Sequence, residues 1–146
     1  MKSEPDAYSI DDLARERSGM WEGVRNYQAR NNLRAMKVGD LAFFYHSNAN
    51  PPGIAGLCRV VKEAYPDHTA FDPGHKYFDP KSDPDKPRWF MPDVEFVRKF
   101  DRLIPLPELR ETPGLEQMQL LNRSRLSVQS VSEDEWNIIR AIAEAS

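Results

Sequence analysis

The sequence holds a single cysteine, Cys58, so no disulfide can close within the chain. It has no apolar run approaching the ~18 residues that a membrane-crossing helix needs, and its start does not read as a signal peptide. It also lacks an excess of positive charge: 20 Lys+Arg against 23 Asp+Glu give −3 and a pI of 5.6. A histone-like binder is therefore excluded, and any nucleic-acid contact must come from a local patch. Internal repeats and low-complexity stretches are absent. These absences lead us to expect a soluble, cytoplasmic chain without a membrane partner.

Sites for common chemistry are missing as well. The soft or imidazole ligands are Cys58, His46, His68 and His75, and none shows the two-to-four-residue spacing of a zinc site. Neither GxGxxG nor a Walker loop occurs, so no phosphate-cradling loop is expected. His46 beside Ser47 has the residue types for nucleophilic catalysis. Neighbours on a strand point to opposite faces, however, which places them badly as a pair. The reading is of a chain with no metal, no cofactor and no catalytic residue. Were it an enzyme on a nucleotide or small heterocycle, Glu4, His46 and Ser47 would be the acid, base or nucleophile candidates.

What remains describes a packed domain. The 146 residues are 40% hydrophobic and 29% charged, with Trp 3, Tyr 5 and Phe 7. A chain of this size buries roughly two-thirds of its unfolded surface, so residues 1–146 read as one domain. Ser9 and Asp12 form a capping box for a helix from Ile10 to about Arg17, with Tyr8 and Leu13 at the staple positions. Asn26 caps a second helix with Ala29, Leu33 and Met36 on one face and Arg30, Arg34 and Lys37 on another. Ser132 to Glu135 open a C-terminal helix carrying Trp136, Ile139, Ile142 and Ala143 towards the core.

Strands are expected at Leu41–Tyr45, at Ile54–Tyr65, in two runs at Arg88–Phe90 and Val94–Phe100, and briefly at Leu126–Gln129. With no repeated βαβ pattern, this argues for α+β architecture and a curved, mostly antiparallel sheet or small barrel. Prolines break the segment from Pro66 to Pro92, and Asp67, Asp72, Asp79, Asp83 and Asp85 load it with acid. Such a loop could serve a protein partner. Six bases between Arg15 and Lys37 face only Glu16 and Glu22, so that region is locally basic.

A further polar and aromatic set carries a family resemblance. It comprises Lys2-Ser3-Glu4-Pro5, Trp21, Gly23 to Asn31, Val38-Gly39-Asp40, Phe44 to Ser47, Pro52 to Gly56, Ala64 to Asp67, Phe71-Asp72-Pro73, Tyr77 to Ser82 and Arg125 to Val128. In these blocks, over almost its whole length, the sequence resembles the EVE domain family of the PUA-like superfamily. The resemblance implies an α+β, PUA-like mixed, mostly antiparallel β pseudo-barrel with peripheral short helices. It also implies one concave pocket related to the YTH-domain pocket that encloses a methylated base. By that resemblance Ser3, Trp21, Asn26, Tyr45, His46, Ser47, Asn48 and Ser127, with Trp89, line or support the pocket, and Arg25, Arg30 and Arg34 contact flanking phosphates.

The chemistry suits the residue types: a flipped base offers a flat π face to aromatic side chains and a hydrogen-bonding edge to Ser, Asn or backbone groups. The function implied is a non-catalytic reader of a modified base in DNA or RNA, working as a monomer. Two departures stand out. Relatives carry a few apolar residues before Lys-Ser-Glu-Pro, where this sequence starts at Met1, so the first strand should be very short; and Ser130 stands where a proline is common.

Overall fold

The structure, a computed structural model, describes residues 1–145. In chain order it comprises β1 (Lys2–Ser3), α1 (Ile10–Glu16), β2 (Ser18–Met20), α2 (Tyr27–Ala35), β3 (Leu41–His46) and β4 (Gly53–Pro66). A 3-10 turn (His68–Phe71), β5 (Phe90–Pro105), α3 (Leu106–Glu111), α4 (Gln119–Asn122) and α5 (Glu133–Glu144) follow.

Local chemistry starts each of the three main helices. The Ser9 hydroxyl accepts the Asp12 N–H while the Asp12 carboxylate accepts the Ser9 N–H, and Ser132 with Glu135 repeats this reciprocal cap at α5. Asn26 Oδ1 accepts the Ala29 N–H at 2.9 Å and starts α2. A distant residue completes the first cap, because Ile10 N–H donates to His46 Nε2 at 3.1 Å.

The strands form one mixed sheet in the order β1-β3-β4-β5-β2, antiparallel except for the parallel β1–β3 pair. The architecture is α+β, as expected, but the sheet stays open and does not close into a barrel. Its two edges are strands of only two and three residues, too short to meet across the curl that the β4–β5 bulges produce. Alternation along β3 sends Phe44 into one core and Phe43 and Tyr45 into another. Ile10 and Leu13 of α1 and Ala29 and Leu33 of α2 close the first core, whereas Leu109, Leu120, Ile139 and Ala143 of α3, α4 and α5 close the second.

Two strand expectations need correction. Phe90 and the run at 94–100 belong to the single β5, which passes through Pro92 where the register slips between Lys62 and Tyr65 and no proline N–H is required, whereas Arg88 and Trp89 lie outside any strand. Residues 126–129 are not a strand. Their one ladder-like bond is Lys2 N–H to Ser127 O, and the Gln129 side chain folds back to donate to Leu126 O at 2.7 Å. Trp136 does pack against the second core as expected, half-buried and stacked on Phe43 with ring centroids 4.1 Å apart.

Candidate nucleic-acid interface

The segment from Trp21 to Asn26 leaves β2, crosses the first core and enters α2. Trp21 N–H donates to Pro92 O at 2.9 Å, and the indole, 8% exposed, meets Phe44 edge-on with centroids 5.3 Å apart. Gly23 holds φ at +87° and presses against the Tyr77 ring, and its N–H donates to Asp67 Oδ2 at 2.8 Å. A side chain at that position would meet both the left-handed backbone and the ring.

Asp67 is the node that ties the proline-rich loop to this segment. Fully buried, its carboxylate accepts from Gly23 N–H, from Arg25 Nη1 at 3.0 Å, and from both the N–H and the hydroxyl of Thr69. Burial pushes its pKa up, but the bonds from Thr69, Gly23 and Arg25 outweigh it and hold the carboxyl below its ordinary value.

Residues 126–129 form the facing wall. Their carbonyls are held by Lys2 N–H on Ser127 O and by Asn32 Nδ2 on Val128 O at 2.7 Å. Leu126 and Val128 share the first core with Trp21 and Val24. Ser3 pairs with His46 in the β1–β3 register, its hydroxyl donating to Tyr8 O at 2.7 Å. Of the expected pocket residues, Ser3, Trp21, Asn26, His46 and Ser127 thus collect around one core. Among the described residues the Trp21 indole N–H, the Asn26 amide N–H groups and the Ser127 hydroxyl have no internal partner, and none is sealed from solvent.

A cleft of about 260 Å³ opens beside them, lined by Asn26, Asn122, Arg123, Ser124, Arg125 and Leu126. Arg123 Nη2 donates to the neutral Gln28 Oε1 at 2.5 Å, and Lys2 Nζ donates to Ser124 O at 2.7 Å. The sequence reading has Arg125 only within a family block, does not single out Arg123, and places neither beside a cleft. A signal was available: residues 117–132 carry both arginines and no acid. A larger cleft of about 340 Å³ lies among Met1, Met36, Phe43, Val131 and Trp136 and contains none of the expected site residues.

The other expected residues are committed to different contacts. Tyr45 points into the second core, on the opposite face of β3 from Phe44 and Trp21, because strand neighbours alternate. Ser47 donates its N–H to Ser3 O, and exposed Asn48 bonds Glu4 Oε1 through its side chain. Trp89 is an anchor of the loop: its N–H donates to Asp79 Oδ2 at 2.6 Å and its ring stacks on Tyr27 at 4.9 Å.

Arg25 has no donor left for a phosphate, since its five N–H groups serve Tyr77 O twice, Val24 O, Asp67 and Thr69. Arg30 lies over Tyr27 and donates to Arg88 O and to Asn31, and exposed Arg34 lies over Phe90 with 4.3 Å to the ring centre.

Comparison with known proteins places this geometry. Human thymocyte nuclear protein 1 is 48% identical, with 99% of this chain and 72% of that protein aligned. A hypothetical protein from Leishmania major superposes with a TM-score of 0.96 at 50% identity, covering 99% of this chain and 92% of that one. The human THYN1 protein in complex with 5-methylcytosine-containing DNA superposes with a TM-score of 0.94 at 47% identity, covering 99% and 95%. With the EVE domain profile matching residues 1–142 as well, this chain belongs to the EVE domain family.

Proposed function

We propose that this chain is a non-catalytic DNA-binding module that reads a modified base, with 5-methylcytosine as the first candidate. The observation that carries the reading is the likeness to human THYN1 protein in complex with 5-methylcytosine-containing DNA, 47% identical over 99% of this chain. The unpartnered Trp21 N–H, Asn26 amide N–H groups and Ser127 hydroxyl support it. Together they would offer a flipped base an aromatic wall and polar groups for its edge, with Ser3 and His46 behind them.

Two contacts weigh against the enzyme alternative. His46 Nε2, the lone pair a general base would use, already accepts the Ile10 N–H, and Glu4 Oε1 accepts from Asn48.

The test is an anisotropy titration of matched methylated and unmethylated oligonucleotides, single- and double-stranded, as DNA and RNA, with wild type and Trp21→Phe. Phenylalanine is chosen because Trp21 packs in the first core, where alanine would open a cavity. Wild type is expected to prefer methylated DNA. Trp21→Phe should lose roughly 3- to 10-fold of that preference with the fold intact, the scale of one hydrogen bond. Equal wild-type affinity for methylated and unmethylated DNA would overturn the reading.

A further inference from the structure

We infer that the cleft between Asn26 and Leu126 is the phosphate subsite of this interface, with Arg125 and Arg123 binding the phosphodiester next to the flipped nucleotide. The inference rests on the reader function above and moves the backbone contacts away from Arg25.

The charge arrangement carries it. Five arginines of the described chain, Arg15, Arg25, Arg59, Arg102 and Arg140, are ion-paired to carboxylates. At the cleft the pattern reverses. No carboxylate lines it, and Arg123 is held by a neutral amide and Lys2 by a neutral carbonyl, so neither of these contacts neutralises a charge. Arg125 is exposed and has neither an ion pair nor a hydrogen bond among the described residues. Two arginines thus line a cleft that has no carboxylate, with the Lys2 ammonium bonded to its Ser124 carbonyl, and a bound phosphodiester would supply the missing countercharge.

Geometry points the same way. Gln28, on the first turn of α2, pre-orients the Arg123 guanidinium, whose planar fork suits two phosphate oxygens. Leu126 gives the floor of the cleft an apolar surface for a sugar and continues into the first core beside Trp21. Ser127 follows directly, so base edge and phosphate are served by adjacent residues of one wall. The Asn26 amide, whose N–H groups have no partner among the described residues, lines the same cleft.

The experiment compares wild type, Arg125→Gln, Arg123→Gln and Trp21→Phe on 5-methylcytosine and cytosine DNA over a salt series. A second set of oligonucleotides replaces each linkage flanking the modified base, one at a time, with an uncharged methylphosphonate. Each Arg→Gln variant is expected to bind both DNAs about 5- to 10-fold more weakly and to lower the slope of log K against log salt by roughly 0.7–0.9, with the methylated-to-unmethylated ratio unchanged. One methylphosphonate should weaken wild type by a similar factor and leave Arg125→Gln unaffected.

Wild-type affinity and salt slope in both Arg variants would overturn the subsite even if methylation is read normally. Loss of methylation preference in wild type, with the Arg variants still lowering the slope, would instead refute base reading and keep the phosphate subsite. Failure of wild type to bind any oligonucleotide would overturn both.

Discussion

Removing the Asp67 carboxylate tests whether the proline-rich loop and the Trp21–Asn26 segment are held by one buried node. Asp67→Ala leaves the Gly23 N–H, the Thr69 N–H and hydroxyl, and one Arg25 donor without their acceptor. Summing four full penalties would overshoot, because Arg25 is 23% exposed and can turn to water. Breaking a buried pair by removing one partner costs about 3–5 kcal/mol. For a domain of this size that lowers Tm by roughly 6–20 °C. Asp67→Asn keeps the shape and one acceptor and should fall between.

The control is Glu95→Ala, whose partner Arg59 lies 2.9 Å away with side chains 45% and 38% exposed. That change should cost less than ~1 kcal/mol. Urea melts at pH 7 measure all three variants. An Asp67→Ala loss no larger than the Glu95→Ala loss would refute the node.

A pH series adds an independent check. Asp67 is held below the unfolded carboxyl value of about 3.9, so its stabilisation is complete above about pH 4 and is lost as pH falls through the lower folded value. The gap between wild type and Asp67→Asn should therefore narrow only below about pH 4.

Three further outcomes are expected. Gly23→Ala forces a Cβ to 2.5 Å from the Tyr77 ring at φ +87° and should cost about 1–3 kcal/mol in urea melts; a change under ~0.5 kcal/mol would show that the loop yields there freely. Burial depresses the His46 pKa below its ordinary value of about 6.5, so the neutral ring that accepts Ile10 N–H stabilises the fold above that pH and the contribution is lost as pH falls through the folded value. His46→Gln should flatten stability between about pH 6.5 and 5, and an unchanged pH profile would count against this role. Ser132→Ala removes the acceptor for Glu135 N–H and half of the reciprocal cap, and should cost ~1 kcal/mol by thermal melt; no change in Tm would mean that the cap adds nothing to α5.

Much of the fold was legible because its signals are local. Ser9 with Asp12, Asn26 with Ala29 and Ser132 with Glu135 are contacts across three residues, and each starts a helix where the spacing predicts it. The runs at Leu41 and Ile54 become β3 and β4, since apolar and β-branched residues suit a pleated surface wherever it lies. The block from Gly23 to Asn31 carried the family, because nine residues of fixed order leave little room for coincidence. The strand at Leu126–Gln129 failed for the opposite reason: a strand needs a partner, and the two-residue β1 supplies one bond.

By itself the sequence determined the class of fold, its three capped helices, the family, and a polar and aromatic set around Trp21. Tertiary structure alone decided which members of that set are free. Arg25 is consumed by Asp67 across 42 positions, Arg30 reaches Arg88 across 58, and Arg123 is oriented by Gln28 across 95. Tyr45 and Phe44, adjacent in sequence, face different cores because only the assembled sheet has two sides. Local propensity acts through the backbone and a turn of helix. Whether a charge is neutralised depends on groups brought near it by folding, and Coulomb interactions depend on distance in space rather than on separation along the chain.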